Sequence, residues 1–230
     1  MSDYISPKQF QESEGVEVWR VVGDGACAFF PTQSFAASAR FVAAIGGLTG
    51  LEQHQPDVDV RHDGVTVRLL TTDDQNYGMS QRDVELGRRI SAVAREHGLA
   101  ADPSAVQSVL VIPGGADVAQ IMPFWRAVLD YRRRPDSPDE DLVDPRDRGP
   151  AFWFEKMAEP RSDGGGAVHI AVWVPHDQAE ARIAAALAAG GRMVLDEFAP
   201  SWWTLADPAG NEADIATTQG RDVAVSRFAR

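Results

Sequence analysis

EQHQPDVDVRHDGVTVRLLTT, residues 52–72, decides how the first half of this chain is read. Apolar residues alternate in period two at Val58 and Val60, and again at Val65, Val67 and Leu69. That period marks strands with one buried face. His62-Asp63-Gly64 stands between the two runs and supplies a turn. In a hairpin the start of one strand lies beside the end of the other. His54, Gln55 and Pro56 precede the first strand, and Thr71-Thr72-Asp73-Asp74 ends the second. His54, Gln55, Thr72 and Asp73 are therefore expected to share one cleft at the sheet edge. A histidine beside a carboxylate is an acid/base pair usable near neutral pH. Spacing alone favours a loop histidine with polar neighbours over that pair.

Upstream, Trp19 to Val22 and Ala26 to Phe30 read as strands around a Gly23-Asp24-Gly25 turn. Ser34 to Leu48 reads as a helix with Phe35, Val42 and Ile45 on one stripe. Downstream, Ser80 caps a helix that runs to about His97, with Asp83 at the capping-box position and Leu86, Ile90 and Val93 inside. The order is strand, strand, helix, strand, strand, helix, which implies an α+β domain: an antiparallel sheet with helices on one face. Gly98 and Asp102-Pro103 stop the helix, so residues 96–104 form a boundary between a domain at 1–100 and one at 105–222.

The second half contains an internal repeat. QSVLVIP at 107–113 lines up with HIAVWVP at 169–175. Helical runs follow, Val118 to Leu129 and Gln178 to Leu187. Asp144-Pro145 and Asp207-Pro208 then lead into closing strands, Ala151 to Met157 and Glu212 to Thr217. This predicts two strand-helix-strand-strand-strand modules joined by the flexible stretch SDGGGA at 162–167. The acidic run Asp136 to Asp141 reads as a solvated loop.

Hydrophobic content of 44% and charge content of 24% describe an ordinary globular chain. A formal net charge of -12 repels nucleic acid. The start, MSDYISPKQF, has neither the basic nor the apolar region of a signal peptide, and no apolar stretch approaches the length that crosses a bilayer. The single Cys27, in the apolar context ACAFF, fits a packed position in a reducing cytoplasm.

Trp19 and the phenylalanine-rich strand after it, SFAASARFVAAI, the 52–72 stretch and GMSQRDVELGRRI together resemble the pterin-4a-carbinolamine dehydratases. The resemblance implies dehydration of 4a-hydroxytetrahydropterins without metal or organic cofactor, by histidines that take a proton off the ring and protonate the leaving hydroxyl. His54 matches the first histidine of that family's His-His-Pro, and Gln55 replaces the second. Thr72 replaces the histidine of its Thr-His-Asp, and Asp73 keeps the acid. Asp83 matches the acid that opens the helix and, with Pro56, belongs to the implied substrate site; a capping role for Asp83 is equally open. Gln and Thr do not titrate near neutrality, so the implied activity is weakened.

PFWRAVLDY, GPAFWFEKM, VHIAVWVPHDQAEARIAAAL and LADPAGNEADIA resemble the vicinal oxygen chelate superfamily, the glyoxalase and bleomycin-resistance fold. Its two modules form an open cup whose first and last strands supply metal ligands. On this chain those positions are Gln107 and His169 in the opening strands, Asp214 four residues after Gly210, and Glu155, with Glu212 as an alternative to Asp214. Such a set suits Fe²⁺, Mn²⁺, Ni²⁺ or Zn²⁺, although many members of the superfamily bind ligands without metal. Trp153 and Trp173 share strand faces with Glu155 and His169 and are expected either to pack in the core or to stack on a flat ligand.

The expected function is a pterin dehydratase working through His54, with two alternatives: a metal-dependent lyase, isomerase or dioxygenase in the cup, and a binding or biosynthetic accessory protein without turnover. In each the partner is a small molecule, a pterin or another flat aromatic. Both resemblances imply a homodimer.

Overall fold

The structure is a computed structural model and describes residues 4–157, 168–206 and 212–220. The chain divides into two compact units. Described residues of the first fall in 4–72, 77–106 and 218–220, and of the second in 73–76 and 107–217.

The first unit contains β1 (Tyr4–Ile5), α1 (Pro7–Gln11), β2 (Arg20–Val22), β3 (Gly25–Pro31), α2 (Phe35–Gly46), β4 (Asp57–Val60), β5 (Gly64–Leu69), β6 (Thr71–Thr72), β7 (Tyr77–Ser80) and α3 (Gln81–Glu96). Strands β2-β3-β5-β4 form an antiparallel sheet, and β1-β7-β6 form a second, smaller one. The β4–β5 hairpin pairs Val58 with Val67 and Val60 with Val65, the register that the period-two pattern requires. Gly64 must be glycine: a Cβ there would sit 2.5 Å from Phe29 Cε2 and 2.7 Å from the Phe30 carbonyl oxygen. Helices α2 and α3 pack against the sheet and each other over Trp19, Phe30, Phe41, Ile45, Leu69 and Ile90. Trp19 and Phe41 meet Phe30 edge-on, with centroids 6.4 and 5.0 Å apart. The inner stripe of α2 is Ser38, Phe41 and Ile45, whereas Phe35 is 66% exposed. The expected stripe started one turn too early, because Ser38, hydrogen-bonded to Thr32, occupies the first inward position. Gly98, at φ +67°, ends α3 where expected.

The second unit contains β8 (Ser108–Gly115), α4 (Val118–Leu129), β9 (Arg132–Arg134), β10 (Ser137–Val143), β11 (Ala151–Trp153), β12 (Glu155–Lys156), β13 (Val168–Trp173), α5 (Ala179–Ala188), β14 (Arg192–Leu195), β15 (Trp202–Ala206) and β16 (Glu212–Ala216). They form one sheet in the order β14-β15-β16-β13-β8-β11-β10-β9, with β12 also on β8. The modules meet through their first strands, β8 and β13, which run antiparallel. Within each module the first and last strands run parallel. Val111 packs under α4, and Val172 packs under α5. The register places both valines on one sheet face, so both helices cover that face. The acidic run 136–141 is not a solvated loop: most of it lies in β10, and Asp141 is buried. The link at 162–167 and the turn at Asp207-Pro208 fall outside the described residues.

Candidate functional site

In the first unit the candidate site is built at the N-terminus of α3. Ser80 and Asp83 form the capping box, and that cap fixes the Asp83 carboxylate. Asp83 is fully buried. Its Oδ2 accepts hydrogen bonds from the Ser80 backbone N–H at 2.7 Å and the Thr71 hydroxyl at 2.7 Å, and the Ser80 hydroxyl oxygen lies 3.1 Å from it. Its Oδ1 lies 2.7 Å from His54 Nε2. The helix dipole favours negative charge at this position. An ionised Asp83 places the proton of a neutral His54 on Nε2 and leaves Nδ1 as the atom that exchanges protons. The His54 side chain is 14% exposed, so it combines a buried partner with access to a ligand.

His54 thus has a carboxylate partner, but it is Asp83 and not Asp73. Asp73 instead closes its own turn, accepting from the Gln75 N–H at 2.9 Å and from Asn76 Nδ2 at 2.8 Å. Thr72 is also displaced from its expected role. It is exposed, and alternation along β6 turns it away from the face on which Thr71 reaches Asp83. Gln55 is exposed and Pro56 half-buried. Ser80 is where the sequence places the cap, and Thr71 is the member of this network that the sequence reading leaves out. The signal was present: Val65, Val67 and Leu69 point inward, and the same parity carries on to Thr71.

In the second unit, His169, Ala171 and Trp173 occupy the sheet face opposite the helices. Register brings Asp214 beside Ala171, and His169 Nε2 lies 3.4 Å from Asp214 Oδ2. Thr204 donates to the other oxygen, Oδ1, at 2.6 Å. Burial pulls the His169 pKa down, but the hydrogen bond and charge of Asp214, with Glu155 and Glu212 adding to it, hold it above its ordinary value.

This set does not fit a metal. Among the described residues, no three His, Cys, Asp or Glu side chains come together to hold one. Gln107 is on the helix-bearing face, where its Oε1 accepts from Arg182 Nη1 at 3.2 Å. The repeat alignment that paired it with His169 is out of step. Matching the helix starts, Val118 with Ala179, puts Ser108 in the place of His169, and Ser108 pairs with Trp173 at the other end of the ladder. Glu155 is level with Gly114 on β8, whereas His169 is level with Ile112. Trp173 is only 2% exposed and belongs to the packed interior, not to a stacking surface. Trp153 is half-buried and keeps that option.

Comparison with known proteins agrees with the two-part reading. Residues 4–93 match the family model for pterin 4 alpha carbinolamine dehydratase, and residues 110–216 match that for a glyoxalase-like domain. A protein of Natronomonas pharaonis, provisionally named a pterin-4-alpha-carbinolamine dehydratase, is 30% identical over 94 residues, covering 41% of this chain and 99% of the relative. The chain belongs to the pterin 4 alpha carbinolamine dehydratase family. A similarly named protein of Aquifex aeolicus is 29% identical over 86 residues, covering 37% of this chain and 85% of the relative. A solved glyoxalase/bleomycin resistance protein/dioxygenase superfamily member from Vibrio splendidus aligns at 15% identity and a TM-score of 0.31, covering 49% of this chain and 99% of that one. The chain is a dehydratase-like domain fused to a glyoxalase-like domain. No helix among the described residues is long and apolar enough to cross a membrane.

Proposed function

We propose that the first unit dehydrates a 4a-hydroxytetrahydropterin, with His54 as its proton-transferring side chain. The observation that carries this reading is the buried Asp83 carboxylate 2.7 Å from His54 Nε2. His54 Nδ1 takes the proton from the ring nitrogen and returns it to the 4a-hydroxyl, which leaves as water as the ring C=N bond forms. One imidazole does in sequence what several would divide. Gln55 and Thr72 do not exchange protons near neutrality. Each acid/base group typically contributes on the order of 10²–10⁴ in rate, so turnover is slow. The test is dehydration by the purified chain beside His54→Ala and a Gln55→His/Thr72→His double variant. Activity in the parent that disappears in a His54→Ala protein shown to be folded supports the reading. Equal rates in parent and His54→Ala sink it.

The second unit is read as a small-molecule site that works without metal. The Thr204–Asp214–His169 chain favours this over a metal-dependent lyase, isomerase or dioxygenase. Its ligand is a flat aromatic resting against Trp153. Ligand-induced quenching of tryptophan emission that survives in Trp153→Phe would argue against that placement. We also place the protein in the cytoplasm as a homodimer, and sedimentation velocity showing only monomer would reject the dimer.

A further inference from the structure

We infer that Thr71 is a positioning residue of the dehydration site, acting through Asp83 to hold His54 in the tautomer that exchanges protons at Nδ1. The inference rests on the proposed role of His54. It comes from the proton count in a buried network. Thr71 and Ser80 have one hydroxyl proton each. Thr71 Oγ1 donates to Asp83 Oδ2 at 2.7 Å. The two hydroxyl oxygens are 2.8 Å apart, closer than Ser80 Oγ is to Asp83, so the Ser80 proton is best placed on Thr71. The result is a directed chain, Ser80 to Thr71 to Asp83, in which each bond polarises the next. With the Ser80 N–H it saturates Oδ2 and, among the described residues, leaves Oδ1 to His54.

This arrangement fixes three things at once. It keeps Asp83 an acceptor, because donors surround Oδ2. It sets the carboxylate's rotation about its own bond, and with it the direction of Oδ1. It therefore holds the His54 proton on Nε2, where it has a partner. Thr71, Ser80 and Asp83 belong to β6, β7 and the first turn of α3, adjoining elements that cannot shift independently. Thr71 touches no reacting atom in this account; its effect reaches the chemistry only through the imidazole.

The experiment uses the intact chain with Thr71→Val and Thr71→Ser. Steady-state kinetics on a 4a-hydroxytetrahydropterin separate kcat from KM, and ¹⁵N imidazole shifts, assigned by comparison with His54→Ala, report the His54 tautomer. Losing a hydrogen bond to a charged group predicts a kcat lower by roughly 10- to 100-fold in Thr71→Val, with little change in KM. The tautomer should shift from Nε2–H toward a mixture, and Thr71→Ser should restore both. Should Thr71→Val not fold, Thr71→Ala repeats the test with less steric demand. Parent kcat and parent tautomer in the Val or Ala variant overturn the inference and leave the role of His54 standing. So does a loss of kcat with the tautomer unchanged, which would be packing alone. If the parent does not dehydrate the substrate, the role of His54 falls, and the tautomer shift still decides whether Thr71 positions the ring.

Discussion

Asp141 should make the second unit less stable as pH rises, and replacing it with Asn should remove that loss. The side chain lies in β10 with almost no exposed surface. Burial pushes its carboxyl pKa from 3.8 up to about 6, against the opposing pull of Arg134 and a hydrogen bond from Ser137. The Arg134 guanidinium is also engaged by Asp136, at 2.6 and 2.7 Å. The folded pKa is raised, so the stabilising contribution is complete below the unfolded pKa and disappears as pH rises through about 6. The gap between 3.8 and about 6 corresponds to about 3 kcal/mol. Asp141→Asn stays neutral throughout and still accepts from Ser137. The stability difference between variant and parent should therefore grow by about 2–3 kcal/mol in favour of the variant between roughly pH 4 and pH 8, then level off. Other carboxylates cancel in that difference. Urea unfolding of both proteins across this range, read by hydrogen exchange at the β10 amides, measures it. A difference that stays flat with pH would mean that Asp141 is solvated, and the burial argument would fail.

Other expectations follow from single contacts. Asp83→Asn should lower dehydratase kcat by on the order of 10² or more with a smaller effect on KM, because an amide cannot favour the same His54 tautomer; unchanged kinetics would remove Asp83 from the site. Gly64→Ala should cost roughly 1–3 kcal/mol, since the added methyl must displace Phe29 or the strand itself; a parent-like urea midpoint would contradict that. Burial raises the Cys27 pKa to about 11, so a disulfide exchange reagent should label it at the unfolding rate and not at the rate of a free thiol. A chelator should leave the melting temperature unchanged. A fall reversed by one divalent ion would restore the metal reading of His169 and Asp214.

The first unit was legible because its signals were local and redundant. The alternation at Val58–Leu69 set the register, Ser80 with Asp83 marked a helix start, and Gly98 marked its end. The partner of His54 was misplaced because the argument followed the hairpin. Asp83 comes from the next helix, 29 positions along the chain, and no periodicity of the hairpin reaches that far. In the second unit the modules were visible, yet alignment by likeness was one residue out. On a strand one residue means the opposite face, so Gln107 was assigned to the wrong side. For Trp173 the sequence leaves core packing and stacking both open, and the structure packs it. Its strand face was correct, but that face is packed at this position, and pattern alone does not report what covers a side chain.

The fate of the dehydration chemistry turns on why Asp83 is as buried as it is. A helix cap alone needs only an acceptor for the Ser80 N–H, and Oδ2 supplies it. Such carboxylates function equally well facing water. Here Oδ1 is also out of water, and among the described residues it is His54 that meets it. Withdrawing a charge from water is unfavourable unless it is matched, so His54 stabilises the cap as well as offering chemistry. The imidazole therefore has a structural reason to be present even if turnover has been lost. His54→Ala would leave a buried carboxylate oxygen without its partner, costing about 3–5 kcal/mol in stability, the range for a broken buried pair. Loss of activity in that variant alone would not separate chemistry from collapse. His54→Gln does separate them. Its amide N–H can still donate to Oδ1, so the cap holds, but it cannot exchange a proton. A folded His54→Gln protein with no turnover would assign the chemistry to the imidazole, and one that keeps the parent's rate would assign His54 to the cap.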